Sequence, residues 1–242
     1  MTEGTLLRLA GVHTHIGRYH ILHGVDLAVR TGRLTMLLGR NGAGKTTTLR
    51  TIMGLWRRSA GEVRFDGSEI GDLPTPDIAR LGVAYVPESM GIFGQLTVRE
   101  NLLLATGPKG FESARLEAVL ELFPALRERW QVAAGALSGG QKQMLAISRA
   151  IIEERRLLIV DEPTKGLAPA VIQHLINAFL RLKATATTIL LVEQNFHMAR
   201  SVGDDVAVMD DGRIVHTGAM ADLAADERLQ QQLLGLSLAS HQ

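Results

Sequence analysis

Short apolar runs alternate with helical patterns along most of the chain. Residues 33–38, 157–160 and 188–192 are continuous apolar runs, which are typical of strands buried on both faces of a parallel sheet. Between the last two runs, an apolar stripe recurs at helical spacing from residue 171 to residue 180. This order of patterns predicts a βαβ unit with parallel strands in the second half of the chain.

The first third of the chain has strand patterns, and the middle part has helical ones. Alternating apolar positions predict strands at 6–13, 25–29, 61–65 and 83–86, and a helix at 45–53. Helical patterns dominate between about 96 and 154, where Thr97 and Glu100 have the spacing of a capping box. We therefore expect a helical insert within a mixed α/β sheet.

The C-terminal part of the chain carries a hairpin signal. Apolar runs at 206–209 and 213–216 flank Asp211 and Gly212, a dipeptide that favours a tight turn between antiparallel strands. A polar helical pattern and a tail follow.

Composition and charge exclude several classes of protein. The 242 residues are 46% hydrophobic and 21% charged, which is typical of folded chains and not of disordered ones. Lys plus Arg number 26 and Asp plus Glu 25, so no global field attracts nucleic acid. The absence of cysteine excludes disulfides and thiolate metal sites. No run of about 18 apolar residues predicts a membrane span, so we expect a cytoplasmic protein that reaches any membrane through partners.

A glycine-rich turn joins the apolar run at 33–38 to the predicted helix at 45–53. It matches the pattern G-x-x-x-x-G-K-[ST] in the strand–turn–helix context that a P-loop requires. Its residues are Gly39, Arg40, Asn41, Gly42, Ala43, Gly44, Lys45 and Thr46. The glycines let backbone N–H groups converge on phosphates, Lys45 adds a positive charge, and the Thr46 hydroxyl can ligate Mg²⁺. The sequence therefore predicts a nucleotide site, in which we include the next residue, Thr47.

Two carboxylates, Asp161 and Glu162, follow the apolar run at 157–160. Open α/β sheets bind ligands at the carboxyl ends of their strands. Asp161 suits the coordination shell of Mg²⁺, and Glu162 suits a base that polarises the attacking water. An acidic turn before Pro163 is the alternative interpretation. The P-loop in the same chain favours the functional one.

The segment LSGGQ at 137–141 allows two interpretations. Ser138 and Gln141 have the spacing of a capping box for the helix that follows. Gly139 and Gly140 do not contribute to a capping box. Because they have no side chains, they would leave backbone N–H groups accessible at the positive end of that helix, where a phosphate can bind. All four residues are therefore candidates for nucleotide binding.

The motifs GRNGAGKT, LSGGQ and LLIVDEP, in this order, resemble the ATP-binding subunit of an ABC transporter over nearly the whole chain. The segments VPE (86–88), LTVRENL (96–102), DEPTKGLAP (161–169) and LVEQN (191–195) are similar to those of branched-chain amino acid importer ATPases. Urea and amide importers share this pattern. The resemblance implies an α/β fold, a P-loop NTPase of the ABC ATPase type, in which a mixed sheet core carries an antiparallel β subdomain and a helical subdomain. It implies a single domain over 1–242, with the helical subdomain inserted at about 96–154.

The resemblance also implies roles for the residues that match the family motifs. Residues 39–46 would hold the phosphates of ATP, Asp161 would hold Mg²⁺, and Glu162 would act as general base. Residues 138–141 would bind the γ-phosphate in the opposite subunit, so that two nucleotides lie between two ATPase subunits. Closing of this dimer on ATP would drive the membrane subunits through the segment at 88–95, and hydrolysis would reopen it.

The partners implied are a second ABC ATPase subunit, two integral membrane permease subunits and, indirectly, an extracytoplasmic solute-binding protein. We expect an ATPase heterodimer, with a homodimer as the alternative, on the cytoplasmic face of the inner membrane. The expected function is to energise the import of branched-chain amino acids. The alternatives are an importer of urea or short amides, a lipid-extraction or export ATPase, and a soluble ABC ATPase. The last class predicts a coiled-coil insertion, a second P-loop or a basic face, which the sequence lacks.

Four positions depart from the general ABC pattern, and one of them, Ala168, stands where many relatives have aspartate. Glu88 stands where glutamine is usual, and Gln194 stands where a histidine is usual; both resemble the branched-chain importer subfamily. Glu88 offers an oxygen to Mg²⁺ or water and Gln194 can donate a hydrogen bond, but neither shuttles a proton as histidine does. We expect both to support catalysis, with more weight on Glu162. Ile16 stands where an aromatic usually stacks on adenine, so we predict stacking by Tyr19; a partly exposed strand tyrosine is the alternative.

Overall fold

The computed structural model describes residues 4–108 and 110–235. Residues 1–3, 109 and 236–242 of the expected domain, including most of the predicted tail, lie outside the described part. The strands are β1 (Thr5–Ile16), β2 (Tyr19–Arg30), β3 (Leu34–Leu38), β4 (Arg58–Phe65), β5 (Ser68–Glu69), β6 (Val83–Val86), β7 (Leu157–Asp161), β8 (Thr188–Val192), β9 (Asp205–Asp210) and β10 (Arg213–Ala219). The α-helices are α1 (Lys45–Ile52), α2 (Thr75–Arg80), α3 (Val98–Leu103), α4 (Ser113–Leu122), α5 (Pro124–Glu128), α6 (Gly139–Ile151), α7 (Pro169–Ala184), α8 (Phe196–Val202), α9 (Met220–Ala225) and α10 (Glu227–Leu234).

The larger sheet has the strand order β10-β9-β3-β8-β7-β6 within the described residues. Strands β9, β3, β8, β7 and β6 are parallel, and β10 is antiparallel to β9. The central strands β3, β8 and β7 are buried along their whole length, as their continuous apolar runs predict. Because these three strands are neighbours and parallel, their carboxyl ends lie side by side at one edge of the sheet.

Alternate side chains of the larger sheet enter two hydrophobic cores. Leu158 and Val160 of β7 pack in a core with helices α6, α7 and α8. Leu157 and Ile159 pack in a second core with α1 and the smaller sheet. Successive side chains of a strand point to opposite faces, so the larger sheet is the middle of three layers.

The smaller sheet is antiparallel, with the order β2-β1-β4-β5. Strands β1 and β2 are longer than predicted, because they pair from Thr5 opposite Arg30 to Ile16 opposite Tyr19. The added residues are largely polar and lack a regular apolar alternation, so the pairing with the neighbouring strand decides their structure. Within this extension Thr14 is fully buried, and its Oγ1 lies 3.1 Å from Oγ1 of Thr51 in α1.

Helices α3 to α6 lie between β6 and β7, in the region where helical patterns dominate the sequence. The predicted capping box opens α3: Glu100 N donates to Thr97 Oγ1 at 3.1 Å, and Thr97 N donates to Glu100 Oε2 at 2.8 Å. The fully buried Asn101 accepts from Phe93 N at 2.9 Å and donates to Phe93 O at 2.9 Å. This side chain fixes the loop after β6 against α3. Together the mixed sheet, the antiparallel sheet and the helices confirm the predicted fold class.

The predicted C-terminal hairpin is confirmed. Asp211 (φ 41°) and Gly212 (φ 71°) are both left-handed, as a tight two-residue turn between β9 and β10 requires. The polar helical pattern that follows forms two helices, α9 and α10, rather than one. Asp226 separates them, because its Oδ1 accepts from Leu229 N at 2.9 Å and caps α10. In the described ranges no helix has both the length and the apolar character that a membrane crossing needs.

Candidate nucleotide-binding site

The predicted P-loop joins the buried strand β3 to helix α1, which begins at Lys45. A Cβ atom at Gly39 would lie 2.2 Å from Met209 O, so a side chain does not fit there. Gly44, at the N-cap of α1, has φ 107°, which residues with a side chain rarely adopt. The loop therefore runs close to β9 and ends at a helix N-terminus, whose first N–H groups have no partner within the helix.

The Lys45 side chain is folded back over its own loop. Its ammonium donates to Gly39 O at 2.9 Å and to Arg40 O at 3.1 Å. The same atom lies 3.5 Å from Oε1 of Glu162, and Lys45 is 4% exposed. The predicted phosphate-binding lysine and the predicted base are thus neighbours.

Thr46 and Asp161, the two predicted magnesium ligands, are in direct contact. Thr46 Oγ1 donates to Asp161 Oδ1 at 3.2 Å, and Tyr85 OH donates to Asp161 Oδ2 at 3.4 Å. Burial raises the pKa of Asp161, the nearby carboxylates of Glu162 and Glu88 raise it further, and the hydrogen bond from Thr46 opposes the shift. Burial also raises the pKa of Tyr85 to about 12, with the charge of Asp161 adding to the shift. A hydroxyl beside a carboxylate is an all-oxygen donor set, which fits Mg²⁺.

Glu162 follows β7, and its backbone N donates to Val192 O at the end of β8 at 2.9 Å. Its φ of 47° is unusual for a residue with a side chain and aims the backbone away from the strand. Gln194 Nε2 donates to Glu162 Oε1 and to Asn41 Oδ1, each at 2.6 Å. One amide group therefore connects the P-loop, the predicted base and the segment after β8.

Glu88 is paired with a residue that the sequence analysis gave no role. Its Oε1 lies 2.5 Å from Nζ of Lys165, and the same ammonium lies 3.8 Å from Glu162 Oε2. The carboxylate of Glu88 raises the pKa of Lys165 through this hydrogen bond. The signal that could have found Lys165 is its place in DEPTKGLAP, three residues after Glu162.

Glu193 is a second residue that the sequence analysis passed over. It is 2% exposed, and its carboxylate accepts from the backbone N of Thr164 at 2.9 Å, of Gln194 at 3.1 Å and of Asn195 at 3.2 Å. Burial raises its pKa, and these hydrogen bonds oppose the shift. Glu193 therefore holds the segment after β7 against the segment after β8. An acidic residue directly after a continuous apolar run was the available signal.

The LSGGQ segment forms the predicted capping box at the start of α6. Ser138 N donates to Gln141 Oε1 at 3.0 Å, and Gln141 N donates to Ser138 Oγ at 3.3 Å. The two glycines differ, because a Cβ at Gly140 would lie 2.5 Å from Val171 Cγ1, whereas one at Gly139 would meet nothing closer than 3.6 Å. Gly140 thus has a packing role within this chain. The predicted contact of residues 138–141 with a nucleotide lies across a subunit interface and stays a prediction.

Tyr19 lies at the end of the β1–β2 hairpin, directly opposite Ile16. It is 62% exposed, and the guanidinium carbon of Arg18 lies 5.5 Å from the centre of its ring. The neighbouring Leu22 of β2 points at the P-loop, since its Cδ2 would lie 3.0 Å from a Cβ at Gly44. An exposed ring at this end of the hairpin is accessible to a base, and adenine stacking by Tyr19 stays a prediction.

Comparison with known proteins identifies the family. Residues 22–165 match the family model described as ABC transporter. The chain belongs to the ABC transporter family. It is 39% identical, over 95% of its length and all of the relative, to the high-affinity branched-chain amino acid transport ATP-binding protein BraG of Pseudomonas aeruginosa. It is 36% identical to the probable branched-chain amino acid transport ATP-binding protein LivF of Archaeoglobus fulgidus, over 96% of the chain and 99% of that relative.

Solved structures of ABC transporter cassettes have the same fold. A nucleotide-free ATP-binding cassette from an ABC transporter superposes with a TM-score of 0.80 at 25% identity, covering 96% of this chain and 99% of the cassette. The ADP conformation of an ATP-binding cassette superposes with a TM-score of 0.81 at 26% identity, with the same coverage. The P-loop, the buried β7 and the segment after β8 therefore belong to an ABC ATPase.

Proposed function

We propose that this chain binds and hydrolyses ATP to energise a membrane importer of branched-chain amino acids. The observation that carries the hydrolytic part is the Glu162 carboxylate, held between the Lys45 ammonium and the Gln194 amide at the end of β7. The similarity of the whole chain to two branched-chain amino acid transport ATP-binding proteins supports the importer.

Residues 39–47 hold the phosphates of ATP in this proposal. Lys45, which bonds to loop carbonyls here, is the charge available to the β- and γ-phosphates. Thr46, Asp161 and Glu88 supply the oxygen atoms for Mg²⁺, and the contact between the first two supports this set. Mg²⁺ would neutralise negative charge on the phosphates as it develops. Tyr19 would stack on the adenine.

Glu162 is the proposed general base that orients and polarises the attacking water. Gln194 keeps its carboxylate in place by donating a hydrogen bond to Oε1. Glu88 lies close enough to raise the pKa of Asp161 by its charge. The carboxylates of Glu88 and Asp161 therefore influence each other at the proposed Mg²⁺ site. Neither Gln194 nor Glu88 needs to transfer a proton in this scheme.

The proposed assembly contains a second ATPase subunit, two permease subunits and, indirectly, a solute-binding protein outside the membrane. Residues 138–141 would complete the nucleotide site of the opposite subunit. The N-terminus of α6, which begins at Gly139, supports this role, since a helix N-terminus binds an anion favourably. The segment at 88–95 would carry the motion to the permeases at the cytoplasmic face of the membrane.

Two experiments test the proposal. Glu162→Gln should reduce ATP hydrolysis by the purified chain to near background while ATP still binds, because the amide keeps the shape and loses the basic oxygen. Undiminished turnover would refute the role of Glu162. Affinity purification from native membranes under ATP-trapping conditions should recover two membrane subunits and a second ATPase. Recovery of ribosomes, or of no membrane chain, would refute the importer and leave the ATPase standing.

A further inference from the structure

The nucleotide-facing edge of the sheet concentrates negative charge. Asp161, Glu162 and Glu88 follow or end two neighbouring strands, β7 and β6. The charges of Glu162 and Glu88 both raise the pKa of Asp161, so the three carboxylates interact electrostatically. A triphosphate is itself a polyanion, so each uncompensated carboxylate at this edge opposes its binding by Coulomb repulsion. The site therefore needs nearby cations.

Two lysines meet these carboxylates. Lys45 is held by two P-loop carbonyls, 3.5 Å from Glu162. Lys165 lies on the other side, with its ammonium 2.5 Å from Glu88 and 3.8 Å from Glu162. Of these two lysines, Lys45 serves the phosphates in the proposed function, and Lys165 is the one that pairs with Glu88.

The backbone at Lys165 is fixed. Lys165 N donates to Glu162 O at 3.2 Å, which closes a turn directly after β7. The preceding residue, Thr164, is anchored by its N–H to the buried Glu193 carboxylate at 2.9 Å. Lys165 is thus presented to Glu88 from a rigid segment, although its side chain is 60% exposed.

We propose that Lys165 is a positioning residue that neutralises Glu88 and so allows a carboxylate to stand beside bound ATP. The Glu88 carboxylate and the Lys165 ammonium, 2.5 Å apart, form a pair with no net charge at this edge of the sheet. The inference rests on the proposed function, because it concerns the binding of ATP at the same site.

The test measures the dissociation constant of ATP by calorimetry on the purified full chain and four variants, with EDTA present so that the proposed Mg²⁺ role of Glu88 does not affect the comparison. Lys165→Met should weaken binding about two- to fivefold, the range expected for an exposed charge pair. In EDTA, where no Mg²⁺ is present for Glu88 to bind, Glu88→Gln in the same chain as Lys165→Met should return the affinity to the wild-type value, because no charge is left unpaired. Lys165→Arg should also bind like the wild type.

Lys183→Met is the matched control. Lys183 pairs with Asp204 at 2.7 Å, next to the amino end of β9, and its loss should leave the affinity unchanged.

The outcomes separate the possible explanations. Lys165→Met with wild-type affinity would overturn the role of Lys165. So would a double variant that binds as weakly as Lys165→Met, since a merely structural lysine would not be rescued by removing the charge of Glu88. A wild-type chain that binds ATP only with Mg²⁺ would overturn this inference alone, and one that binds neither ATP nor MgATP would overturn the proposed function with it. Thermal unfolding of each variant checks that it is folded, which the exposure of both side chains (60% and 43%) leads us to expect.

Discussion

The side-chain amide of Gln194 lies 2.6 Å from Glu162 Oε1 and 2.6 Å from Asn41 Oδ1. Its two N–H groups thus satisfy one acceptor on the proposed base and one on the P-loop. The amide can donate these bonds but cannot take up a proton. Gln194 is therefore suited to hold Glu162 in place rather than to exchange protons with it.

Removal of the Gln194 amide should slow hydrolysis more than it weakens binding. A hydrogen bond to a charged group contributes about 1.5–3 kcal/mol, so Gln194→Ala should lower kcat by about 10- to 100-fold. KM should change less than kcat, since the bond to Asn41 in the P-loop joins two neutral amides, whereas the bond to Glu162 joins the amide to a carboxylate. Steady-state ATPase kinetics measure both. Gln173→Ala is the control, because Gln173 donates to Asn177 at 3.2 Å on an exposed face of α7. A variant of Gln194 with raised KM and normal kcat would contradict this view.

The ionised form of Asp161 should destabilise the folded chain, so the stability of the protein should depend on pH. Burial is the main cause of its raised pKa, so the folded state holds the proton more tightly than the unfolded chain. Protonated Asp161 therefore stabilises the folded state, and this stabilisation is lost as the pH rises through the raised pKa of the folded state. Thr46 and Tyr85 can donate to or accept from an asparagine at this position. Asp161→Asn should raise the unfolding temperature of the nucleotide-free chain at neutral pH by about 2–4 °C, which corresponds to about 1 kcal/mol.

Calorimetry over a pH series checks the sign of this effect. Near pH ~3 or below, where folded and unfolded Asp161 are both largely protonated because the unfolded pKa is about 3.9, the unfolding temperatures of Asp161→Asn and the wild type should converge. Hydrolysis by the variant should be lost at every pH, because an amide is a poor ligand for Mg²⁺ compared with a carboxylate. A variant less stable than the wild type at neutral pH would contradict the cost assigned to Asp161.

The two glycines of LSGGQ should separate packing from function. Gly140→Ala places a methyl group 2.5 Å from Val171 Cγ1, and overpacking of this kind costs about 1–3 kcal/mol. Gly139→Ala has no contact closer than 3.6 Å and should leave the stability of the chain unchanged. Chemical denaturation measures both. Val171→Ala combined with Gly140→Ala should recover part of the loss, and equal stability of the two glycine variants would contradict the distinction.

Tyr19→Ala should weaken ATP binding without destabilising the fold. Stacking of a base on an aromatic ring contributes about 1–3 kcal/mol, which corresponds to a loss of about 5- to 150-fold in affinity. The ring is 62% exposed, so its removal should change the free energy of unfolding by less than about 0.5 kcal/mol. Tyr19→Phe keeps the ring and should bind like the wild type. Unchanged ATP affinity in Tyr19→Ala would refute the stacking role.

Local features of this protein could be predicted from its sequence alone. The continuous apolar runs determined β3, β7 and β8, because strands covered on both faces must be apolar throughout. The turn at Asp211 and the capping boxes at Thr97 and Ser138 were predicted because they depend on residues adjacent in the chain. The motifs GRNGAGKT, LSGGQ and LLIVDEP, in this order, resembled those of the ATP-binding subunit of an ABC transporter, and the family match confirms this.

Only the tertiary structure decided which distant residues meet. Gln194 and Asn41 are 153 positions apart, and Lys165 and Glu88 are 77 apart. These contacts depend on the spatial order β3-β8-β7, which differs from the order along the chain. The steric limit at Gly140 likewise comes from Val171 on another helix. A sequence pattern indicates which face of a strand or helix is buried, but the packing of the elements decides which residues lie opposite that face. This packing brings Gln194 to Glu162 and Lys165 to Glu88.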